Sequence, residues 1–450
     1  MFFCALPLLA LLFVSSSATR ASRQRALYRT QWPPEPYPPR SGAAAAPKPR
    51  GPEGEDPCAP LAPAALQRPA AVLRASDSTF SEAVFLEWAT LLFTRGQMAR
   101  GGDVGVLSPW FADVQKALPA AIDGRPVQQV RGVVVGSARL VSAVVRGHHT
   151  TVTVAFRACL TTGGRLRDQA WYLEEQWTFR RARGVPSRMP NELEALVCRA
   201  CGSPFERDPM GQCPHCQEPL RPGAHDWAVW AVGQRRAETR PPLLTGEVPE
   251  VGTSAPSVIA PGLKVARQAF ARARPGFTWE RFEARARTIF LELQKGWSEQ
   301  RWEALRPYES ENVFQSHRFW MEEYQRQGLR NRLDDVVLSR VEVVKIEVDA
   351  CYEVVTCRMH ASMRDSVVRL KDGAVVAGNP KVVRPFTEYW TFLRRPGVRD
   401  RTGSDVECPS CGAALSVSQA GVCEYCLAKV TSGRFDWVLS RIEQDEEYVG

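Results

Sequence analysis

The sequence has 450 residues, 44% of them hydrophobic and 24% charged, with a formal net charge of +9. Ordinary domains run to roughly 100–200 residues, so this chain can bury more than one core and two or more folded units are expected. The basic surplus argues little for a nucleic-acid partner. Between Thr19 and Arg74 there are nine Arg or Lys against four Asp or Glu, which puts more than half of the excess in a tail rather than on a folded face.

The chain opens with Phe2 to Val14, an uncharged run, followed by Ser15-Ser16-Ser17-Ala18 and then Arg20, Arg23, Arg25 and Arg29. Residues 1–18 therefore read as an N-terminal membrane anchor or signal. Arginines after the apolar run, and not before it, favour a retained single anchor at the cell membrane with the bulk of the chain cytoplasmic. The run is at the short limit of the about 17–25 residues a span needs, and export after signal cleavage is the alternative. Residues 19–75 are a Pro/Ala-rich linker without apolar periodicity, expected to be disordered.

Residues 76–190 form a first folded part. Thr79-Phe80-Ser81-Glu82 matches a capping box opening a helix through Leu92. Val152, Val154, Phe156, Ala158 and Leu160 alternate as a half-buried strand does, and His148-His149 falls at a hairpin tip, exposed. Residues 221–262 are a return segment and linker, with Pro241, Pro242, Pro249, Pro256 and Pro261. The second folded part spans 263–400. It begins with Leu263, Ala266 and Phe270 beside Lys264, Arg267, Arg272 and Arg274, either a solvated linker helix or a basic amphipathic helix on anionic lipid. Thr278 caps a helix carrying Trp279, Phe282, Ala286, Ile289, Phe290, Leu293 and Trp297 on one face. After Pro307 a second helix carries Val313, Phe314, His317, Met321 and Tyr324 and stops at Gly328, with His317 a core histidine. Strands follow over Val336 to Val348, Tyr352 to Met363 and Val383 to Leu393, with Asp372-Gly373 a turn before the last. Cys351 and Cys357 share a strand face with Val355 and Met359 and read as core thiols. Helices followed by antiparallel strands make the fold class α+β.

Eight of the thirteen cysteines fall in two copies of one spacing, Cys198-x2-Cys201-x11-Cys213-x2-Cys216 and Cys408-x2-Cys411-x11-Cys423-x2-Cys426. Two facing C-x2-C turns complete a tetrahedral Cys4 shell, the geometry of a zinc ribbon. Ribbons are thus expected at 195–220 and 405–430, the second followed by a C-terminal strand and acidic tail at 431–450. Four thiolates leave no open position, so the two zinc ions are structural, His215 is a surface residue, and the compartment is reducing. Flanking residues repeat as well: Glu175-Gln176-Trp177-Thr178-Phe179 with Glu388-Tyr389-Trp390-Thr391-Phe392, Gly223 and Asp226-Trp227 with Gly433 and Asp436-Trp437, and Leu107-Ser108-Pro109-Trp110 with Leu305-Arg306-Pro307-Tyr308. The duplication therefore spans whole domains.

The segment Phe277 to Val398, with its paired helices and closing Glu388-x-Trp390-Thr391-Phe392 strand, resembles a Tim44-like domain, the family named for the inner-membrane subunit of the mitochondrial import translocase. Cys408 to Cys426, ending in Phe435-Asp436-Trp437-Val438-Leu439, is similar to the zinc-ribbon extension of bacterial members, and Thr79 to Trp230 is similar to a diverged copy. The resemblance implies two cones like nuclear transport factor two, each a bent antiparallel sheet wrapped by helices around an apolar pocket and each with a C-terminal ribbon. It also implies a membrane-tethered protein that binds a lipid, peptide or protein partner. The second cone keeps the aromatic residues and is expected to do the binding, with Trp279, Phe282, Phe290, Trp297, Phe314, Trp320, Glu388 and Trp390 as pocket candidates; Lys264, Arg267, Phe270 and Arg272 are the membrane-surface candidates.

The sequence carries no H-E-x-x-H, no G-x-x-x-x-G-K-[ST] and no G-x-S-x-G, which agrees with a non-enzymatic binder that takes no small-molecule substrate. Glu175 and Glu388, each beside a tryptophan, are the places where pocket chemistry would sit; the plainer reading is a sheet-edge carboxylate paired with Arg. An enzyme using the cone pocket, or a ribosome- or nucleic-acid-associated ribbon protein, are the alternatives.

Overall fold

The computed structural model describes residues 69–127, 129–163, 169–187, 212–219, 221–240, 252–399 and 407–445, with Met189, Cys201, Ser203, Tyr448 and Gly450. The expected anchor, nearly all of the linker, and Cys198 lie outside these residues. Among the described residues no helix is long and apolar enough to cross a membrane.

The first half opens with helix α1 (Pro69–Ser76) and α2 (Glu82–Ala99). Ser81, not Thr79, caps α2: its Oγ accepts the Val84 N–H at 3.3 Å, while Thr79 is held by Asp77 Oδ1 through both its N–H and its hydroxyl. The apolar stripe Phe85, Trp88, Leu92 and Phe93 is buried, as helical spacing requires of a core-facing helix. A 3-10 turn (Val104–Trp110), a four-residue α3 (Val114–Ala117) and a small hairpin, β1 (Ala121–Ile122) with β2 (Arg125–Pro126), lead into the sheet. That sheet is β3 (Val130–Arg146), β4 (His149–Thr162), β5 (Gln169–Ala182) and β6 (Ala228–Arg240), antiparallel and in chain order. The alternating residues of β4 are buried, and His148 and His149 stand exposed at the β3–β4 turn, where Gly147 supplies the positive φ.

The second half comprises α4 (Leu263–Arg272), α5 (Trp279–Ser298), α6 (Trp302–Leu305), a 3-10 turn (Arg306–Tyr308) and α7 (Glu311–Arg326). The strands are β7 (Leu329–Val348), β8 (Glu353–Arg369), β9 (Val375–Gly378), β10 (Arg384–Arg394) and β11 (Val438–Gln444). They form an antiparallel sheet ordered β11-β10-β8-β7, with β9 also on β8. Thr278 caps α5 as expected, accepting the Arg281 N–H at 3.2 Å. Strand β7 starts seven residues earlier than the pattern suggested, because the register slips between Asp334 and Val337, with Asp335 in the left-handed region. Such a bulge flips the side-chain alternation and hides the first part of the strand from a period-two reading. The Asp372-Gly373 turn is real, but it joins β8 to the unforeseen β9.

The order of elements recurs, down to single hydrogen bonds. Ala182 N donates to Gly223 O and Arg395 N to Gly433 O, both at 2.7 Å; Asp226 and Asp436 each accept the N–H of the tryptophan that follows, at 2.8 Å. Ala112 N donates to Val229 O at 2.9 Å and Ser310 N to Leu439 O at 2.8 Å. The cysteine clusters are not C-terminal appendages. Each lies between two neighbouring strands, so the chain leaves the sheet after β5 or β10, passes through the cluster, and returns as β6 or β11.

Nor are the halves separate cones; both fall in one compact unit. The apolar core of the first half continues into Cys351, Tyr352, Leu393 and Val438 of the second. Cys351 is therefore a core thiol, but of the β7–β8 turn, where Asp349 Oδ1 accepts the N–H groups of Cys351 and Tyr352 at 2.8 Å; Cys357 is on the strand as expected. Helix α7 also reaches across. Phe319 lies so close to Gly132 on β3 that a Cβ there would sit 1.9 Å from its ring. The counterpart α3 is a quarter of that length.

Candidate metal centres and the interior carboxylates

Cys408, Cys411, Cys423 and Cys426 bring four Sγ atoms within 4.8 Å of one another, and Cys201, Cys213 and Cys216 do the same. The pairs Cys408–Cys426, Cys411–Cys423 and Cys201–Cys213 are 3.8, 4.0 and 3.7 Å apart. A zinc–thiolate bond of about 2.3 Å gives a tetrahedral edge of about 3.8 Å, while a disulfide needs about 2.05 Å. The donor set thus fits a zinc-sized ion and not a cystine. Both clusters use the same turn: Cys213 N donates to Glu218 O and Cys423 N to Ala428 O, each at 2.9 Å, with Gln217 and Leu427 at positive φ. His215 is exposed and outside the cluster. The second cluster is tied to the helices, since Arg306, itself fully buried, donates from Nε to Gln419 O at 2.8 Å and from Nη2 to Glu311 Oε2 at 2.6 Å.

The two Glu-x-Trp carboxylates lie in the interior, not at a sheet edge. Glu175 receives hydrogen bonds from Arg100 Nη2 at 3.0 Å, Gln97 Nε2 at 2.7 Å and Trp177 Nε1 at 2.7 Å. Glu388 receives Trp390 Nε1 and Gln444 Nε2, both at 2.9 Å. Gln97 and Gln294 occupy the same place relative to the caps Ser81 and Thr278, as do Arg100 and Trp297. The second interior therefore has an indole where the first has a guanidinium, and there the Gln294 amide and Trp297 Nε1 are buried without hydrogen-bond partners among the described residues. Arg100, Gln97 and Gln444 carried no local sequence signal, because each meets its carboxylate from a distant element.

The other pocket candidates come together as packed core. Phe282, Phe290, Trp297, Phe314, Trp320 and Trp390 are all buried, with Phe290 5.1 Å from Trp390 and Phe282 5.8 Å from Phe392. His317 is buried beside Trp297 and bonded through Nδ1 to Glu309. Of the candidates, Trp279 alone touches a described cavity, an open groove of about 770 Å³ that it shares with Ile259, Leu263, Lys264, Arg267 and Ala271. The amphipathic-helix expectation needs correcting at Phe270. This ring is 3% exposed, packed 5.0 Å from Phe277 and 5.6 Å from Trp279, so it is not available to a lipid surface; Lys264, Val265 and Arg272 stay exposed, and Arg267 lies over the Trp279 ring at 4.6 Å. One interior acid was not foreseen: Asp365, buried on β8 and hydrogen-bonded by Asn331 Nδ2 at 2.7 Å, is pushed up to about 6 by burial.

Helices beside an antiparallel sheet are expected of the family that the sequence resembles, and comparison with protein-family models supports that resemblance over one segment of the second half. Residues 263–403 match the Tim44-like domain. At family level this carries an association with membranes and membrane partners. The Tim44-like segment runs from α4 through β10 and ends before the second cysteine cluster, although β11 beyond that cluster completes its sheet. No curated protein matches the chain.

Proposed function

We propose that this protein is a membrane-associated, non-enzymatic adaptor of the bacterial Tim44-like type, built from a duplicated domain and holding two structural zinc ions. The observation that carries the reading is the Tim44-like match over α4 to β10. Supporting it are the repeated hydrogen-bond pattern of the halves and the repeated thiol geometry. The partner is a membrane lipid or membrane protein. Closure of the aromatic interior argues that it is met on the outer surface, or in the groove beside Trp279, and not inside an open cone. The N-terminal apolar run supplies the tether, and the reduced thiolates accord with a cytoplasmic location. Crosslinking the full chain in intact membranes and identifying the adducts tests this: a membrane protein or lipid should be captured reproducibly. Recovery of the chain only from the soluble fraction, without adducts, would refute it. Elemental analysis of reduced, purified protein should find two zinc ions per chain.

A further inference from the structure

On one edge strand β8 outruns its partner: pairing with β10 ends at Met363, and beyond it on that edge the short β9 pairs with Ser366 to Val368, while β7 follows the other edge to Arg369. On the flap from Arg369 to Arg384, the side chains of Leu370, Val375, Val376, Val382 and Val383 are each at least 44% exposed. Lone exposed valines are ordinary, but no other stretch of fourteen described residues has more than three exposed large apolar side chains. The register slips between Val367 and Val368, which leaves Val376 as the extra residue of a bulge beside Val375, and both side chains stay exposed.

The flap is nevertheless preformed. Leu370 N donates to Gly328 O and Gly373 N to Arg369 O, both at 2.8 Å, and Asn379 N donates to Asp365 O at 3.0 Å. Gly378, at positive φ, lets the chain pass against the β8 backbone, where a Cβ would come within 2.5 Å of Asp365 O. The same segment is basic. It holds Arg369, Lys371, Lys381 and Arg384 against one acid, Asp372, and that acid is engaged by Arg369 at 2.7 Å.

We infer that this flap is a contact surface for an anionic lipid bilayer. Its four cations outnumber its one acid, so charge complementarity favours an acidic lipid surface, which can also take up the exposed apolar side chains. Lysines at its rim suit the acidic headgroup layer above the hydrocarbon. The inference rests on the membrane-association reading and names where the folded part meets the membrane, independently of the N-terminal run.

The test is flotation of the full chain with phosphatidylcholine vesicles, with and without phosphatidylglycerol, keeping the N-terminal run in every variant. Wild-type protein should float better with the anionic vesicles. Lys371→Glu/Lys381→Glu should weaken that gain by about fivefold or more per lysine, and Val375→Asp/Val376→Asp should abolish it, with zinc content and melting unchanged. An environment-sensitive fluorescent residue at position 376 should shift to the blue only with anionic vesicles. If the chain floats but the variants match wild type and the probe does not shift, the flap inference fails and the adaptor reading stands. Binding to no vesicle overturns the flap inference and leaves only a protein partner for the adaptor. Capture of a protein crosslinked through position 376, with the probe unshifted by lipid, would overturn it in favour of protein docking.

Discussion

Buried charges set the sharpest expectations for single residues. Glu175 has its cation in Arg100, and both are almost fully enclosed. Removing one member of such a pair strands the other, at a cost of about 3–5 kcal/mol. Arg100→Leu should therefore lower stability by that order in urea unfolding, while Arg100→Leu/Glu175→Leu should recover most of the loss. An unaffected single variant would mean that the pair adds nothing to stability. Asp365 offers a pH test. Its folded value of about 6 lies above the ordinary 3.8, so the folded state holds the proton more tightly than the unfolded chain. The contribution is fully present below about pH 4 and lost as pH rises through 6, a swing of about 3 kcal/mol by linkage. Asp365→Asn should flatten stability between pH 4 and 7, gaining on wild type at the upper end, as chemical denaturation across that range would reveal.

Among the elements, the return strands change what a zinc site is expected to do. A C-terminal ribbon could unfold alone when a ligand is lost. Here β11 follows the cluster and pairs with β10 from Glu388 to Leu393, and Arg306 ties the cluster to the start of α7. Cys408→Ser should thus cost hydrogen-exchange protection in β11 and the first turn of α7, beyond the cluster itself. Loss confined to residues 407–430 would show the ribbon to be independent. The Thr278 cap, the β4 alternation and the paired C-x2-C turns were legible because each depends on residues within a few positions, whereas the capping box read at Thr79 fell two residues short of the true cap, Ser81. Strand β9 and the start of β7 were not, since a bulge breaks the very alternation by which strands are recognised.

For the whole molecule, the shared core predicts cooperative behaviour. Tyr352, Leu393 and Val438 are buried in the cluster of the first half, and α7 packs on β3 beside Gly132. Calorimetry of the full chain should show one dominant transition across both halves. The isolated fragment Ser257 to Gly450 should melt lower and bind a hydrophobic dye, because separation uncovers that core; two independent transitions would contradict this. The expectation of a working second cone and a scaffolding first cone is a question for variants of the full chain, because the two halves share apolar core.

What the sequence by itself determined was the local chemistry: two four-thiol sets, two copies of a Glu-x-Trp strand, and the helix and strand faces marked by period. These follow from covalent spacing and backbone geometry over short distances. Only the tertiary structure decided that Glu175 meets Arg100, that the aromatic stripe of α5 closes into core, that Phe270 turns inward, and that the β8–β9 flap stays bare. Each depends on which distant surfaces come together and exclude water, and a side chain's burial is set by that assembly and not by its neighbours in the chain.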